Sequence, residues 1–84
     1  MYVAIKFSQS AFKHGITEAA IRRVCLNAIY DDILDEDEDK HLLLGFDGNG
    51  NVLEILYNII DDETIRVFHA MKCRDAFLSL VDFH

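Results

Sequence analysis

The segment Asp47-Gly48-Asn49-Gly50-Asn51, set between two apolar runs, constrains the fold of this chain more than any other feature. The runs cover residues 41–46 and 52–60, and both are rich in aliphatic side chains. Because Asn-Gly strongly favours a two-residue type I′ turn, Asn49-Gly50 predicts a tight antiparallel hairpin. A third apolar run, residues 64–71, follows a short acidic turn. Together the three runs predict a three-stranded antiparallel meander.

The two turns also predict a register for the meander. A two-residue first turn and a slightly longer second turn place apolar side chains opposite one another on a single face of the sheet. The expected pairs are Phe46–Leu53, Leu44–Ile55, Leu42–Tyr57, Ile59–Ile65, Tyr57–Val67 and Ile55–His69. That face is apolar apart from His69, so we expect helices to cover it.

The opposite face of the predicted sheet combines polar and apolar side chains. Its expected rows are His41–Asn58–Arg66, Leu43–Leu56–Phe68 and Gly45–Glu54–Ala70. A polar row beside an apolar centre is not typical of a solvated face, so we expect this surface to contact a ligand, the C-terminal helix or another chain. The residues expected to bind a partner there are Leu43, Leu56, Asn58 and Phe68.

A helix is predicted before the meander. Thr17 is a natural N-cap, and apolar residues at helical spacing extend the helix to Ile29 or Tyr30. The next segment, residues 31–39, is strongly acidic. The repulsion between its carboxylates predicts a solvated loop.

Shorter elements are predicted at both ends of the chain. Residues 2–7 are compatible with a further strand or with a packed N-terminal arm. Residues 8–14 predict one helical turn closed by Gly15, because glycine readily adopts the backbone conformation that ends a helix. From Cys73 onward, apolar residues recur at helical spacing and predict a C-terminal helix.

The size and composition predict one small α+β domain over residues 1–84. Hydrophobic residues make up 51% of the chain, which is enough for a core. The formal net charge of −7 argues against non-specific nucleic-acid binding, which draws on many Lys and Arg side chains. No apolar run approaches the roughly 18 residues of a transmembrane segment, and the N-terminus lacks the charged start of a signal peptide. We therefore expect a cytoplasmic protein without membrane contact.

Neither a metal site nor a cofactor is predicted. His41 and His69 lack the spacing that is diagnostic of a metal site, and Cys25 and Cys73 form no Cys-x-x-Cys motif. The three glycines of the segment 45–50 lie in a hairpin rather than between a strand and a helix, so that segment is not expected to bind nucleotide phosphate.

Several stretches of the chain resemble BrnT-type toxins, which belong to the RelE-like ribonuclease toxins of bacterial toxin–antitoxin systems. The similar stretches are Lys13-His14-Gly15-Ile16-Thr17 at a helix start, Leu43-Leu44-Gly45 before the hairpin, residues 52–57, and Ile65-Arg66-Val67-Phe68-His69-Ala70-Met71. The end of the last stretch resembles a divergent branch of small actinobacterial toxins. The resemblance implies a small antiparallel sheet packed by helices, cleavage of RNA, and a co-encoded antitoxin that covers the active surface.

The basic and imidazole side chains supply candidates for metal-independent RNA cleavage. The reaction needs a base for the ribose 2′-hydroxyl, an acid for the leaving oxygen and a cation for the charged phosphorane. Arg66 is the candidate for holding phosphate, and His41 or His69 for acid–base transfer, with Lys72 or Arg74 assisting. Two structural interpretations remain open: His69 as a hydrogen-bonded core histidine, and Arg66 as the ion-pair partner of Glu54 or Asp62.

Two functions from different classes therefore stand as expectations. The first is the toxin component of a toxin–antitoxin system, a metal-independent endoribonuclease or a relative that has lost activity, with an antitoxin and RNA as partners. The second is a non-catalytic protein-binding module, such as a homodimer that associates through the outer sheet face around Leu43, Leu56 and Phe68.

Overall fold

A computed structural model describes residues 4–81 as a five-stranded sheet with two α-helices. The strands are β1 (Ala4–Phe7), β2 (Ala28–Asp35), β3 (Lys40–Phe46), β4 (Val52–Asp61) and β5 (Thr64–Lys72), and the helices are α1 (Glu18–Leu26) and α2 (Asp75–Leu78). The strand order is β1-β5-β4-β3-β2. Strand β1 runs parallel to β5, and every other pair of neighbours is antiparallel. The α+β class is confirmed, with five strands where three or four were expected.

The predicted register of the β3–β4 hairpin is wrong by one residue. Leu44 lies opposite Glu54 rather than Ile55, and Leu43 takes the place opposite Ile55. Because successive side chains of a strand point to opposite faces, this shift exchanges the two faces of β3. Leu43 therefore packs in the core that α1 covers, while Leu42 and Leu44 are buried on the other side of the sheet.

The turn between β3 and β4 explains the shift. The amide of Asp47 donates to the carbonyl of Asn51 at 2.9 Å, and the amide of Gly50 donates to the carbonyl of Asp47 at 3.4 Å. The carboxylate of Asp47 also accepts from the amides of Asn49 and Asn51. Gly50 has a φ of +82°, which only glycine adopts at no steric cost. The chain thus uses a longer turn, closed by a left-handed glycine, instead of a two-residue turn.

The register of the β4–β5 hairpin was predicted correctly up to a β-bulge. The pairs Ile59–Ile65 and Tyr57–Val67 are confirmed. Phe68 then has no partner on β4, so His69 lies opposite Leu56 and Ala70 lies opposite Ile55. The carbonyl of Phe68 instead accepts a hydrogen bond from the hydroxyl of Ser10 at 2.6 Å. The bulge moves His69 off the face where it was expected.

We call the side of the sheet that α1 covers the α1 face, and the other side the second face. The buried apolar residues of the sheet on the α1 face are Leu43, Leu53, Ile55, Tyr57, Ile65, Val67 and Ala70. Strand alternation places Leu42, Leu44, Glu54, Leu56 and His69 on the second face.

Helix α1 begins as predicted but ends earlier. The hydroxyl of Thr17 accepts from the amide of Ala20 at 3.1 Å, which confirms the N-cap. The helix stops at Leu26 rather than near residue 30. Its residue Val24 packs closely on β3, since a Cβ added at Gly45 would lie only 3.0 Å from Val24 Cγ1 and 3.2 Å from a backbone oxygen. A glycine at this position therefore lets the helix approach the sheet.

The acidic segment predicted as a loop is mostly an edge strand. Strand β2 pairs with β3, with Asp32 opposite Leu42 and Asp31 opposite Leu43. Most of its side chains are exposed, so its carboxylates remain in water while its backbone bonds to β3. Only the turn 36–39 is left as a loop, and Asp39 has a φ of +51° there.

The ends of the described chain are short elements. A single 3-10 turn over Gln9–Phe12 precedes Gly15, whose φ of +80° fits the predicted helix stop. Strand β1 realises the predicted N-terminal strand from Ala4 onward, and residues 2 and 3 lie outside the described residues. Helix α2 spans one turn and buries none of its residues, so it is shorter than predicted. No helix within residues 4–81 is long and apolar enough to cross a membrane.

Candidate functional site

A fully buried carboxylate forms the centre of the candidate site. Glu54 lies on the second face, opposite Leu44 on β3 and Met71 on β5. Its two oxygens accept from the guanidinium of Arg74, with Nε to Oε1 at 3.0 Å and Nη2 to Oε2 at 2.7 Å. The backbone amide of Arg74 also donates to Oε1 at 2.9 Å. Because Arg74 directly precedes α2, Glu54 joins the C-terminal helix to the sheet.

His69 is the second partner of this carboxylate. Its Nε2 lies 2.9 Å from Oε2 of Glu54. Burial acts to raise the pKa of Glu54, but the hydrogen bonds from Arg74 and His69 outweigh it and hold the pKa below its ordinary value. Glu54 is therefore ionised at neutral pH and can only accept hydrogen bonds. It follows that Nε2 of His69 carries a proton, and that Nδ1 is the nitrogen free to take one.

The imidazole ring of His14 contacts that of His69. The ring centroids of His14 and His69 are 5.5 Å apart, and the two rings meet edge to face at 74°. The bond between Ser10 and the bulged carbonyl of Phe68 ties the segment before His14 to β5. His14 is exposed, and the side chain of His69 is 20% exposed. We call His14 and His69 the imidazole pair, because solvent can reach both rings.

Two of the five candidate catalytic residues, His69 and Arg74, meet on Glu54. Arg66 lies on the same second face as His69, opposite Asn58, and is exposed. Within residues 4–81 its guanidinium makes no hydrogen bond or ion pair. The alternative in which Arg66 pairs with Glu54 or Asp62 is therefore wrong.

The other two candidates lie on the α1 face. His41 lies opposite Tyr57 and stacks on its ring, with 4.9 Å between centroids. Lys72 lies opposite Leu53 and is exposed. The sheet separates both residues from His69, so the structure does not bring the five predicted residues to one site.

The predicted partner surface is also divided between the two faces. Leu43 is buried beneath α1, Leu56 is half-buried on the second face, and Phe68 sits in the bulge. The expectation that these three residues form one outer row is wrong, because it depended on the unshifted register. Asn58 does lie opposite Arg66 as predicted, and its side-chain amide donates to the carbonyl of Asp39 at 2.8 Å.

Sequence reasoning did not place Glu54 or His14 among the candidate site residues. Glu54 is the one charged residue between Val52 and Ile60, which is a signal that a buried carboxylate with a cationic partner could have been sought there. No spacing relates His14 to His69, because the chain between them passes through α1 and three strands. Only the fold brings those two rings together.

Within the part of the chain that the structure describes, no group of three or more His, Cys, Asp or Glu side chains is arranged to hold a metal ion. Comparison with protein-family models, with curated protein sequences and with solved structures gives no match to this chain.

Proposed function

We propose that this chain cleaves RNA without a metal ion, with the imidazole pair as its acid and base. The observation that carries the proposal is the contact of two solvent-accessible imidazoles, one of them oriented by a buried, ionised carboxylate. Metal-independent cleavage of RNA needs one group to take a proton from the attacking 2′-oxygen and another to give a proton to the leaving 5′-oxygen of the same phosphate. Two adjacent histidines, one taking a proton and the other giving one, meet that need.

The roles follow from the hydrogen bonds. His69 donates its Nε2 proton to Glu54, so its Nδ1 takes the proton of the ribose 2′-hydroxyl as that oxygen bonds to phosphorus. The bond from phosphorus to the 5′-oxygen breaks, and protonated His14 gives that oxygen a proton. The products are a 2′,3′-cyclic phosphate and a 5′-hydroxyl. Glu54 acts as a positioning residue, since it fixes the orientation of the His69 ring.

Arg66 is the group best placed to hold the phosphate. It lies on the second face opposite Asn58, two residues along β4 from Leu56, which faces His69. That spacing corresponds to about 7 Å along the strand. An exposed guanidinium without an ionic partner among the described residues can bind a phosphate in bidentate fashion. Arg74 is already bound to Glu54 and is assigned no phosphate contact.

The toxin–antitoxin assignment and a RelE/BrnT-like fold are part of the same proposal. Both depend on the resemblance noted in the sequence, and two of the resembling stretches carry the proposed site. The stretch that begins at Lys13 contains His14, and the stretch that begins at Ile65 contains Arg66 and His69. A co-encoded antitoxin in the cytoplasm is the proposed partner.

The test is cleavage of a single-stranded RNA oligonucleotide by the purified protein in EDTA, with products identified by mass spectrometry. We expect cyclic-phosphate ends, a bell-shaped pH profile, and a loss of about 10²–10⁴-fold in His14→Ala, the typical effect of removing a general acid or base. Arg66→Ala should be similarly impaired. Both side chains are exposed, so these variants should fold.

Lys72→Ala is the matched control, because it removes an exposed cation from β5 on the other face. Its activity should stay within about twofold of the wild type. The absence of cyclic-phosphate products, or equal activity in the wild type and His14→Ala, would refute the proposal. Growth arrest on induced expression, abolished by Arg66→Ala, would test the toxin role separately.

A non-catalytic binding module is the second candidate, and one observation favours it: an apolar cleft open on the α1 face. A homodimer built on Leu43, Leu56 and Phe68 is no longer its form, because those residues do not share a surface.

A further inference from the structure

Helix α1 leaves part of the α1 face uncovered, and a cleft opens there. The cleft has a cavity volume of about 310 Å³. Its floor is formed by Leu43, Tyr57 and Ile65, and its wall by Cys25 and Leu26 at the end of α1. The helix ends at Leu26, after which the chain turns into β2. Burial raises the pKa of the Cys25 thiol to about 11, which keeps the wall neutral.

Exposed apolar side chains lie on the α1 face, one of them, Leu26, in the wall of the cleft. Leu26 is 77% exposed, Ile33 is 52% exposed and Ile59 is 37% exposed. Ile33 lies opposite His41, and Ile59 opposite Ile65, so both belong to the α1 face. Exposed leucine and isoleucine side chains beside a largely apolar cavity are the kind of surface that marks a binding site.

The border of the cleft along β2 is acidic. Asp31 lines the cleft, and its carboxylate accepts from the hydroxyl of Tyr57 at 2.6 Å. The other acidic residues of β2 and of its turn into β3 are Asp32, Asp35, Glu36, Asp37, Glu38 and Asp39. The one cation in this stretch is Lys40, and it is bound to Glu38 at 2.6 Å. The potential along the β2 side of the cleft is therefore negative.

We propose that the cleft docks a basic protein segment, which inserts an apolar side chain beside Leu26 and pairs its Lys or Arg side chains with the carboxylates of β2 and its turn. Charge selects this occupant over a second copy of the chain. Two copies joined at the cleft would bring two acidic borders together, and like charges across an interface are strongly unfavourable. The cleft is on the face opposite the imidazole pair, so this inference is independent of RNA cleavage.

The test uses a short amphipathic peptide of Lys and Leu as a probe, titrated into the purified protein and followed by NMR chemical shifts. Two control peptides of the same length are titrated in the same way. One twin has Glu in place of every Lys, and the other has Ser in place of every Leu. We expect saturable binding of the Lys/Leu peptide alone, with shifts concentrated at Ile5, Ile33 and Ile65. Higher salt should weaken binding.

Leu26→Gln should weaken that binding by about 10- to 100-fold, the effect of losing one buried leucine contact. Leu80→Gln is the matched control, since it makes the same substitution at another exposed leucine, and it should change the affinity by less than about twofold. Glu36→Gln combined with Asp37→Asn should weaken binding and reduce its salt dependence.

Three results would overturn the proposal. The first is binding of the Ser-for-Leu twin as tightly as the Lys/Leu peptide, which would mean adsorption by charge alone. The second is an equal loss of affinity in Leu26→Gln and Leu80→Gln. The third is a dimer in sedimentation that Leu26→Gln converts to a monomer, since a second copy would then occupy the cleft.

Discussion

Two carboxylate–histidine pairs occupy opposite faces of the sheet, and their burial is inverted. Oε2 of Glu54 lies 2.9 Å from Nε2 of His69, and Oδ1 of Asp39 lies 2.8 Å from Nε2 of His41. The Glu54 side chain is 0% exposed and that of His69 is 20%, whereas Asp39 is 49% exposed and His41 is 11%. A buried carboxylate with an accessible imidazole can hold a ring toward a substrate. An accessible carboxylate with a buried imidazole cannot.

The second pair instead closes a turn. Asp39 has a φ of +51°, and its Oδ2 accepts from the amide of Ile59 at 3.0 Å. Its carbonyl accepts from the side chain of Asn58. The side-chain hydrogen bond from His41 and the bond from the Ile59 amide lower the pKa of Asp39 below its ordinary value. Asp39 thus links the β2–β3 turn to β4 by hydrogen bonds, and His41 supports this link by bonding to the same carboxylate.

The largest expected effect follows from removing the buried charge. Glu54→Gln should destabilise the fold by about 1.5–3 kcal/mol, because the neutral amide weakens the bonds from Arg74 and His69 and places a buried NH₂ donor against their donors. Urea unfolding measures this free energy. Asp39→Asn is the matched carboxylate-to-amide control and should lower the urea midpoint by less than half as much. A Glu54→Gln protein as stable as Asp39→Asn would show that the burial difference has no energetic consequence.

The two carboxylate–histidine pairs should also differ in how much they contribute to the pH dependence of stability. The folded-state pKa of Glu54 lies below its ordinary value of 4.5. Its contribution to stability is therefore complete above about pH 4.5 and is lost as the pH falls through the lowered folded-state pKa. The urea midpoint, measured at a series of pH values, should decrease as the pH is lowered below about 4.5. This decrease should be steeper in the wild type than in Glu54→Gln. A curve flattened more by Asp39→Asn than by Glu54→Gln would contradict the assignment.

Some features of the fold follow from the sequence by local rules, and others do not. The class, the existence of both hairpins, the Thr17 cap and the pairing of Tyr57 with Val67 follow from local rules. The faces of β3 do not, because the turn sequence allows two lengths that differ by one residue, and the carboxylate of Asp47 bonds to the amides of the longer turn. A single slip then moves every side chain of a strand to the other face.

Only part of the candidate site was predictable from the sequence, because Glu54 and His14 were not among its expected members. His69 and Arg74 were named from their types, but the carboxylate that joins them was placed on an outer row beside Gly45. Strand β2 was missed for a related reason. Its acidic side chains favour solvent, and a strand at the sheet edge satisfies that preference as fully as a loop does while its backbone bonds to β3.

A smaller effect is expected at Asp39, and it should be local. Asp39→Ala removes the acceptor of the Ile59 amide and places a residue poorly suited to positive φ in the turn. The amide of Ile59 should then exchange with solvent at least about tenfold faster, while the amide of Ile55 keeps its protection. Asp39→Gly should relieve the backbone but not restore Ile59. Hydrogen exchange by NMR measures both amides. Equal acceleration at the two positions would mean global destabilisation instead of the local loss of the hydrogen bond between Asp39 and Ile59.

The smallest effect is expected where the buried imidazole is replaced by a ring of similar size. His41→Phe keeps the stacking on Tyr57 and loses one hydrogen bond to a half-exposed carboxylate, so stability should change by less than about 1.5 kcal/mol. RNA cleavage should be unchanged, because His41 lies on the α1 face. His69→Phe, the same substitution in the other pair, should abolish cleavage. If His41→Phe lost cleavage while remaining folded, the two pairs would have the opposite roles, and the catalytic face would have to be sought beside Tyr57.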